Sequence, residues 1–358
     1  MIETANPSQA AKWIRRWLVL LGLMVYAMIL IGGMTRLTDS GLSITEWDPI
    51  SGALPPMSGA AWESEFAKYR ETAEYQLVNS GMSMAEFQQI YWWEWGHRFF
   101  GRMIGLVAVA GFAVFAIRRW LTKPLGWQLL GLIVLGGLQG AIGWWMVASG
   151  IGETTRVDVA PYRLMTHFTL ALLIIAYIAW LWLGLGSKTR MAVTPVMRTV
   201  SIVLLAAIFV QMAAGALVAG LDAGRSYNDW PLMAGELVPS HYLEETLGLR
   251  SLFEGRAATQ FNHRLLAYLI WAGSLAAAWA FRKSDIRNAV FLLAGLVSLQ
   301  ALWGILTLIS AAPMNLALIH QGLGVMVTLA AVRLVWLTRG PSQFVSASVS
   351  ADGSTKTA

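Results

Sequence analysis

The chain contains no cysteine among its 358 residues. That excludes structural disulfides, thiolate metal sites and cysteine nucleophiles, so any metal must rest on His, Met or carboxylates. Charge is scarce as well, with Asp, Glu, Lys and Arg making up only 13% of the residues. A soluble domain of this length carries about twice that share, so water is not this chain's only solvent. The net charge of +6 falls in short clusters between apolar runs rather than along one face. It therefore reads as membrane topology and not as a nucleic-acid surface.

What is abundant agrees with this. Hydrophobic residues reach 56%, with 18 Trp and 34 Gly, and the mean hydropathy is +0.56. Trp favours the bilayer interface, and Gly lets helices pack closely in lipid. A bilayer core of about 30 Å takes about 20 apolar residues of helix. Eight such stretches are present, near 16–35, 98–117, 126–149, 161–186, 198–221, 261–281, 288–310 and 314–337. The first follows Lys12, Arg15 and Arg16 with no small-residue cleavage site and reads as a retained span. The last two are one uncharged run, divided at Ser310-Ala311-Ala312-Pro313 because Pro and small residues suit a tight turn. The expected fold is all-α: a polytopic membrane protein of eight transmembrane helices.

Basic residues occupy alternate connections: Arg118, Arg119 and Lys123; Lys188, Arg190 and Arg198; Arg282, Lys283 and Arg287; Arg333 and Arg339. The positive-inside rule then puts both termini in the cytoplasm. Segments 36–96 and 222–259 lie outside and are rich in Glu, among them Glu63, Glu65, Glu71, Glu74, Glu236, Glu244, Glu245 and Glu254. The Ser- and Thr-rich tail 340–358 reads as disordered.

The two halves repeat. Asp39, Gly41, Ser43 and Trp47 match Asp222, Gly224, Ser226 and Trp230 at one offset, continued by Gly52/Gly235 and Pro56/Pro239. Further on, His97-Arg98 matches His263-Arg264, LQGAIG ending at Gly143 matches LQALWG ending at Gly304, and His167 matches His320. Hydropathy alone does not reproduce matched Asp, Gly, Trp, Pro and His in one order. Four helices per repeat preserve orientation, so two four-helix bundles, 1–190 and 191–339, should be related by a pseudo-two-fold axis along the membrane normal.

Four of the five histidines sit in this repeat. His97 and His263 mark the outer ends of spans two and six, and His167 and His320 lie about two turns inside spans four and eight. Ionisable residues within a span are expensive and face a partner. Neutral imidazole is a common metal ligand, and helical bundles build haem sites from facing helices. One His from each of two helices supplies two axial ligands to one iron. Non-haem iron or copper would want further ligands, and no HxH, ExxH or Met cluster repeats in both halves. Arg98 and Arg264 are placed either to hold propionates or to snorkel at the interface. His241 has no counterpart and reads as a surface residue.

The halves differ at one informative position. Glu94 stands three residues before His97, whereas Gln260 stands three before His263. Positions i and i+3 share a helix face, so Glu94 is aimed at the first iron site unless it is simply solvated at the membrane surface. A carboxylate beside a porphyrin acts as a base or stabilises developing positive charge. The asymmetry points to one catalytic haem site and one cofactor haem site.

The ordered motifs EWGH, THF, FNHR and IHQ, with the loops GGMTRLTDSGLSITEWDPISGALPP and LDAGRSYNDWPLMAGELVP, resemble the haem A synthase family over residues 13–337. The resemblance implies a bacterial cytoplasmic (inner) membrane enzyme that oxidises the C8 methyl of haem O to a formyl group by successive hydroxylations, with water as the oxygen source. It implies haem b on His263 and His320, haem O near His97 and His167, and Glu94 as the catalytic carboxylate. Some members carry a cysteine pair in the first outer loop; this chain resembles the cysteine-free type. The family works beside the farnesyl transferase that makes haem O, which makes that haem O synthase a candidate partner. The electron acceptor and any homo-oligomerisation stay open. Two other readings use the same features: a bis-histidine di-haem b carrier linked to quinol, and a transporter, which the uninterrupted spans argue against.

Overall fold

The computed structural model describes residues 7–152, 154–186 and 191–339. The expected tail 340–358 and the basic residues Lys188 and Arg190 lie outside them. Eleven α-helices form among the described residues, and no strand beyond an isolated Met233/Glu236 bridge. Eight are long: α1 Pro7–Leu37, α4 Met84–Ile117, α5 Lys123–Val147, α6 Pro161–Gly184, α7 Pro195–Gly220, α9 Arg256–Ala280, α10 Arg287–Ile309 and α11 Met314–Thr338. The outer segments add the short helices α2 Gly59–Arg70, α3 Ala73–Leu77 and α8 Ser251–Glu254.

Seven of the long helices are long and apolar enough to cross a membrane. The chain is a polytopic membrane protein. Helix α9 has the length, with 25 residues, but its first turns carry Arg256, Gln260, Asn262, His263 and Arg264, which lower its apolar content. The expected division at residues 310–313 is present. Helix α10 stops at Ile309 and α11 starts at Met314, with Ala311 and Ala312 both left-handed and the Ala312 N–H returning to Thr307 O at 2.8 Å.

The second expected span begins much earlier than at residue 98. Ser83 accepts from Glu86 N at 3.4 Å while the Glu86 carboxylate accepts from Ser83 N at 2.8 Å, a capping box that starts α4 at Met84. Its first turns are aromatic rather than aliphatic, and they pack outside the apolar span. Phe87 and Tyr91 meet Phe66 and Tyr69 of α2 in a small buried cluster with Ile44. Glu94 and His97 thus lie in mid-helix.

The long helices pack as two rings. Helices α1, α4, α5 and α6 each touch the next and close α6 on α1; α7, α9, α10 and α11 do the same. The rings meet through α1 on α11, α6 on α7 and α6 on α11, a pattern that exchanging the halves leaves unchanged. The backbone follows the repeat in detail: matched Asp39 and Asp222 are both left-handed, with φ of 49° and 51°.

Candidate functional site

Within each ring the histidine-bearing helices lie diagonally, α4 across from α6 and α9 across from α11, separated by the other two. His97 and His167 thus belong to one ring, and His263 and His320 to the other. Each imidazole rests on a glycine of a neighbouring helix. A β-carbon on Gly32 of α1 would stand 3.3 Å from His97, on Gly143 of α5 2.9 Å from His167, on Gly215 of α7 3.0 Å from His263, and on Gly304 of α10 2.7 Å from His320. Close helix approach through glycine is how a bundle makes room for rings in lipid.

Three of the four histidines share a second feature that the sequence reading did not single out. Gln139 donates to His167 O at 3.1 Å and lies 3.2 Å from its Nδ1. Gln211 donates to His263 O at 3.1 Å and lies 3.1 Å from Nδ1. Gln300 donates to His320 O at 3.0 Å and lies 3.4 Å from Nε2. A signal for two of them was present, because Gln139 and Gln300 match within LQGAIG and LQALWG. His97 has no such partner among the described residues.

Glu94 is buried at 2% exposure, so it is not solvated at the membrane surface. Nor is it a bare carboxylate. One oxygen accepts from Ser43 Oγ and Ile44 N, each at 2.8 Å, and the other accepts from Arg98 Nη2 at 2.5 Å. Arg98 also donates to Ile44 O and Glu46 O, each at 2.8 Å. In the second half Arg264 repeats this, donating to Tyr227 O at 2.9 Å and Asp229 O at 3.0 Å. Gln260 donates to the same Tyr227 O at 2.9 Å. Both arginines therefore pin a connecting loop onto a histidine-bearing helix, and that role takes up donors otherwise free for a propionate. At this position one half has an ion pair where the other has a neutral amide.

The donors fit a bis-histidine haem better than a bare metal. Among the described residues no cluster of three or more His, Cys, Asp or Glu is placed to hold an ion. The buried Oε1 of Gln139, Gln211 and Gln300 and the His320 Nδ1 have no hydrogen-bond partner, which suits rings whose second nitrogen needs fixing when the first is ligated. A cavity of about 320 Å³ opens between the segment joining α1 to α4 and α4 itself, lined by Ile44, Glu46, Tyr91, Trp95, Arg98 and Arg102 among others. His241 is exposed, as a surface residue should be.

A lipid-spanning helical bundle with two matched, diagonal histidine pairs, one of them beside a buried ion pair, defines the class. The particular family follows from comparison: the chain belongs to the Cytochrome oxidase assembly protein family, whose profile matches residues 15–332. It is 70% identical over 341 residues to the heme A synthase of Hyphomonas neptunium, covering 95% of this chain and 97% of that one. It is similar to the heme A synthases of Maricaulis maris, at 45% over 93% of this chain and 98% of the relative, and of Paracoccus denitrificans, at 47% over 86% and 83%.

Proposed function

We infer that this chain is a haem A synthase, an oxidoreductase that converts the C8 methyl of haem O to a formyl group by successive hydroxylations with water as the oxygen source. The observation that carries the reading is the exchange of the Glu94–Arg98 ion pair for Gln260–Arg264 between the two repeated histidine sites. An electron carrier with two equivalent haems has no use for that difference.

His97 and His167 hold haem O in the first half, residues 1–190. Each hydroxylation removes two electrons and two protons from a methyl carbon and a water molecule. Glu94 is the group positioned to hold negative charge against the developing positive charge and to take a proton. Ser43 Oγ and Ile44 N fix one carboxylate oxygen, and Arg98 fixes the other. His263 and His320 hold haem b in the second half, 191–339, where it supplies an electron relay when bound. Arg264 and Gln260 hold the loop over that site without adding charge. We place α9 across the membrane as the eighth span, both termini in the cytoplasm of a bacterial inner membrane, and haem O synthase as the protein that hands over substrate.

Expression in a bacterium that makes haem O but no haem A, followed by haem extraction and chromatography with mass detection, tests this. Haem A should appear with this chain and not with Glu94→Gln. Recovery of only haem B and unchanged haem O from folded protein would overturn it in favour of the quinol-linked di-haem carrier.

A further inference from the structure

Along α1 and α7 the repeat runs without a gap from Asp39/Asp222 back to Gly32/Gly215, the glycines under His97 and His263. One turn earlier the register pairs Met28 with Gln211. Both side chains reach the histidine-bearing helix beside them. Met28 Cε lies 3.3 Å from a β-carbon built on Gly101, one turn after His97 on α4, and Gln211 bonds His263 on α9. The position that gives His263 an amide thus holds a thioether in the first half, one turn before the glycine under His97, a weak acceptor with no donor.

The rings respond. His167, His263 and His320 turn Cε1, then Nδ1, toward their glycines, whereas His97 turns Nε2, then Cδ2. That difference is a half-turn about the Cβ–Cγ bond, the freedom that a second hydrogen bond removes. A histidine that ligates iron through Nε2 carries its proton on Nδ1, and that proton needs an acceptor to hold the ring and raise its basicity. The orphaned Oε1 of Gln139, Gln211 and Gln300 is in each case an acceptor carried by an amide already bonded to that histidine.

We propose that Gln139, Gln211 and Gln300 are positioning residues for three axial histidines, and that Met28 leaves His97 the weakly held ligand, so that the first-half site releases its haem while the second-half site keeps it. The proposal rests on haem ligation by the four histidines. It assigns the difference between a substrate site and a cofactor site to one side chain on α1 and its counterpart on α7. A haem that must arrive as substrate and leave as product needs an axial bond that opens.

The test uses the full chain purified in detergent from cells making haems B and O, with haem transfer to apomyoglobin and the midpoint potential as readouts. Gln211→Met should speed loss of the second-half haem by about 10–100-fold, the usual effect of removing an outer-shell partner. Gln211→Glu should keep that haem and lower its potential, because a carboxylate makes the imidazole a stronger donor. Met28→Gln should make the first-half site hold its haem through purification. Unchanged transfer rates in both Gln211→Met and Met28→Gln overturn the proposal, as does equal haem loss in Gln211→Met and Gln211→Glu. A parent protein that takes up no haem overturns the ligation reading beneath it instead.

Discussion

Glu94 and Arg98 stand one helical turn apart, with side chains 3% and 18% exposed, and removing either leaves the other charge stranded. Breaking a buried pair by truncating one member costs about 3–5 kcal/mol. Arg98→Ala should therefore lower the thermal stability of the protein in detergent and free the loop that Ile44 O and Glu46 O tie down. Arg98→Lys should restore little, since one ammonium cannot span three acceptors. Glu74 offers a second single-residue test, outside the membrane. It is 4% exposed, it accepts from Tyr69 Oη at 3.2 Å, and Asn79 Nδ2 donates to that hydroxyl at 2.8 Å. Burial pushes its carboxyl from 4.5 up to about 8, opposed by the Tyr69 hydrogen bond and helped by Asp158, Glu94 and Asp39. The folded protein then binds more protons at Glu74 than the unfolded chain does between those values. Stability should fall as pH rises through that window, by at most ~1.4 kcal/mol per pH unit from this group. Glu74→Gln should flatten that part of the profile, and thermal melts from pH 5 to 8 would show it; an unchanged slope would place Glu74 in contact with water.

At the level of helices, the glycine seats set the tolerance of the bundle. A β-carbon at Gly304 would meet His320 Cε1 at 2.7 Å, the tightest of the four histidine seats. Gly304→Ala should push the imidazole off its seat, costing about 1–3 kcal/mol as overpacking and weakening haem retention. Gly295 of the same helix has nothing within 4 Å of a built β-carbon, so Gly295→Ala should leave both readouts unchanged. Most helix ends were legible in the sequence, because length and hydropathy decide what spans a bilayer. Helix α6 was expected over 161–186 and runs Pro161–Gly184; α11 was expected over 314–337 and runs Met314–Thr338. The start of α4 was not, because its outer turns are held by Phe66, Tyr69, Phe87 and Tyr91 packing on one another, a tertiary cause that no window of hydropathy reports. The repetition of the four histidines and the Glu94/Gln260 difference were legible because the matched motifs recur in one order in both halves. The partners of Glu94 were not: Ser43 and Ile44 lie about fifty positions away, and only the folded loop brings them to it.

For the molecule as a whole, one residue joins the two halves at their outer seam. Arg36, at the end of α1, bonds Asp39 and Asp222 at 2.8 Å each and Asp158 at 3.5 Å, and it also donates to Ala219 O at 3.3 Å. Asp39 and Asp222 are repeat counterparts, so a single guanidinium serves both copies, and its own counterpart, Ala219, supplies only a carbonyl. Symmetry explains why. Two arginines at the pseudo-two-fold axis would face each other across one set of acids. Arg36 is 14% exposed, but the three carboxylates are 41–65% exposed, so water screens each contact to roughly 1 kcal/mol or less. Burial already pushes the Asp158 carboxyl up; Arg36 opposes that, while Asp222 and Asp39 add to it. Arg36→Ala should raise it further, and the variant should lose stability more steeply than the parent as pH rises above the usual carboxylate range. Added salt should narrow the gap between them, since it screens the repulsion left among three acids. A double-mutant cycle carries the decisive comparison: burial makes the charged Asp158 a net cost, so Asp158→Asn should strengthen the parent slightly, where Arg36 offsets part of that cost, and strengthen the Arg36→Ala protein more, where nothing does. Additive effects at the two positions would mean that the halves are held by α1 on α11, α6 on α7 and α6 on α11, with the ion network a passenger on their packing.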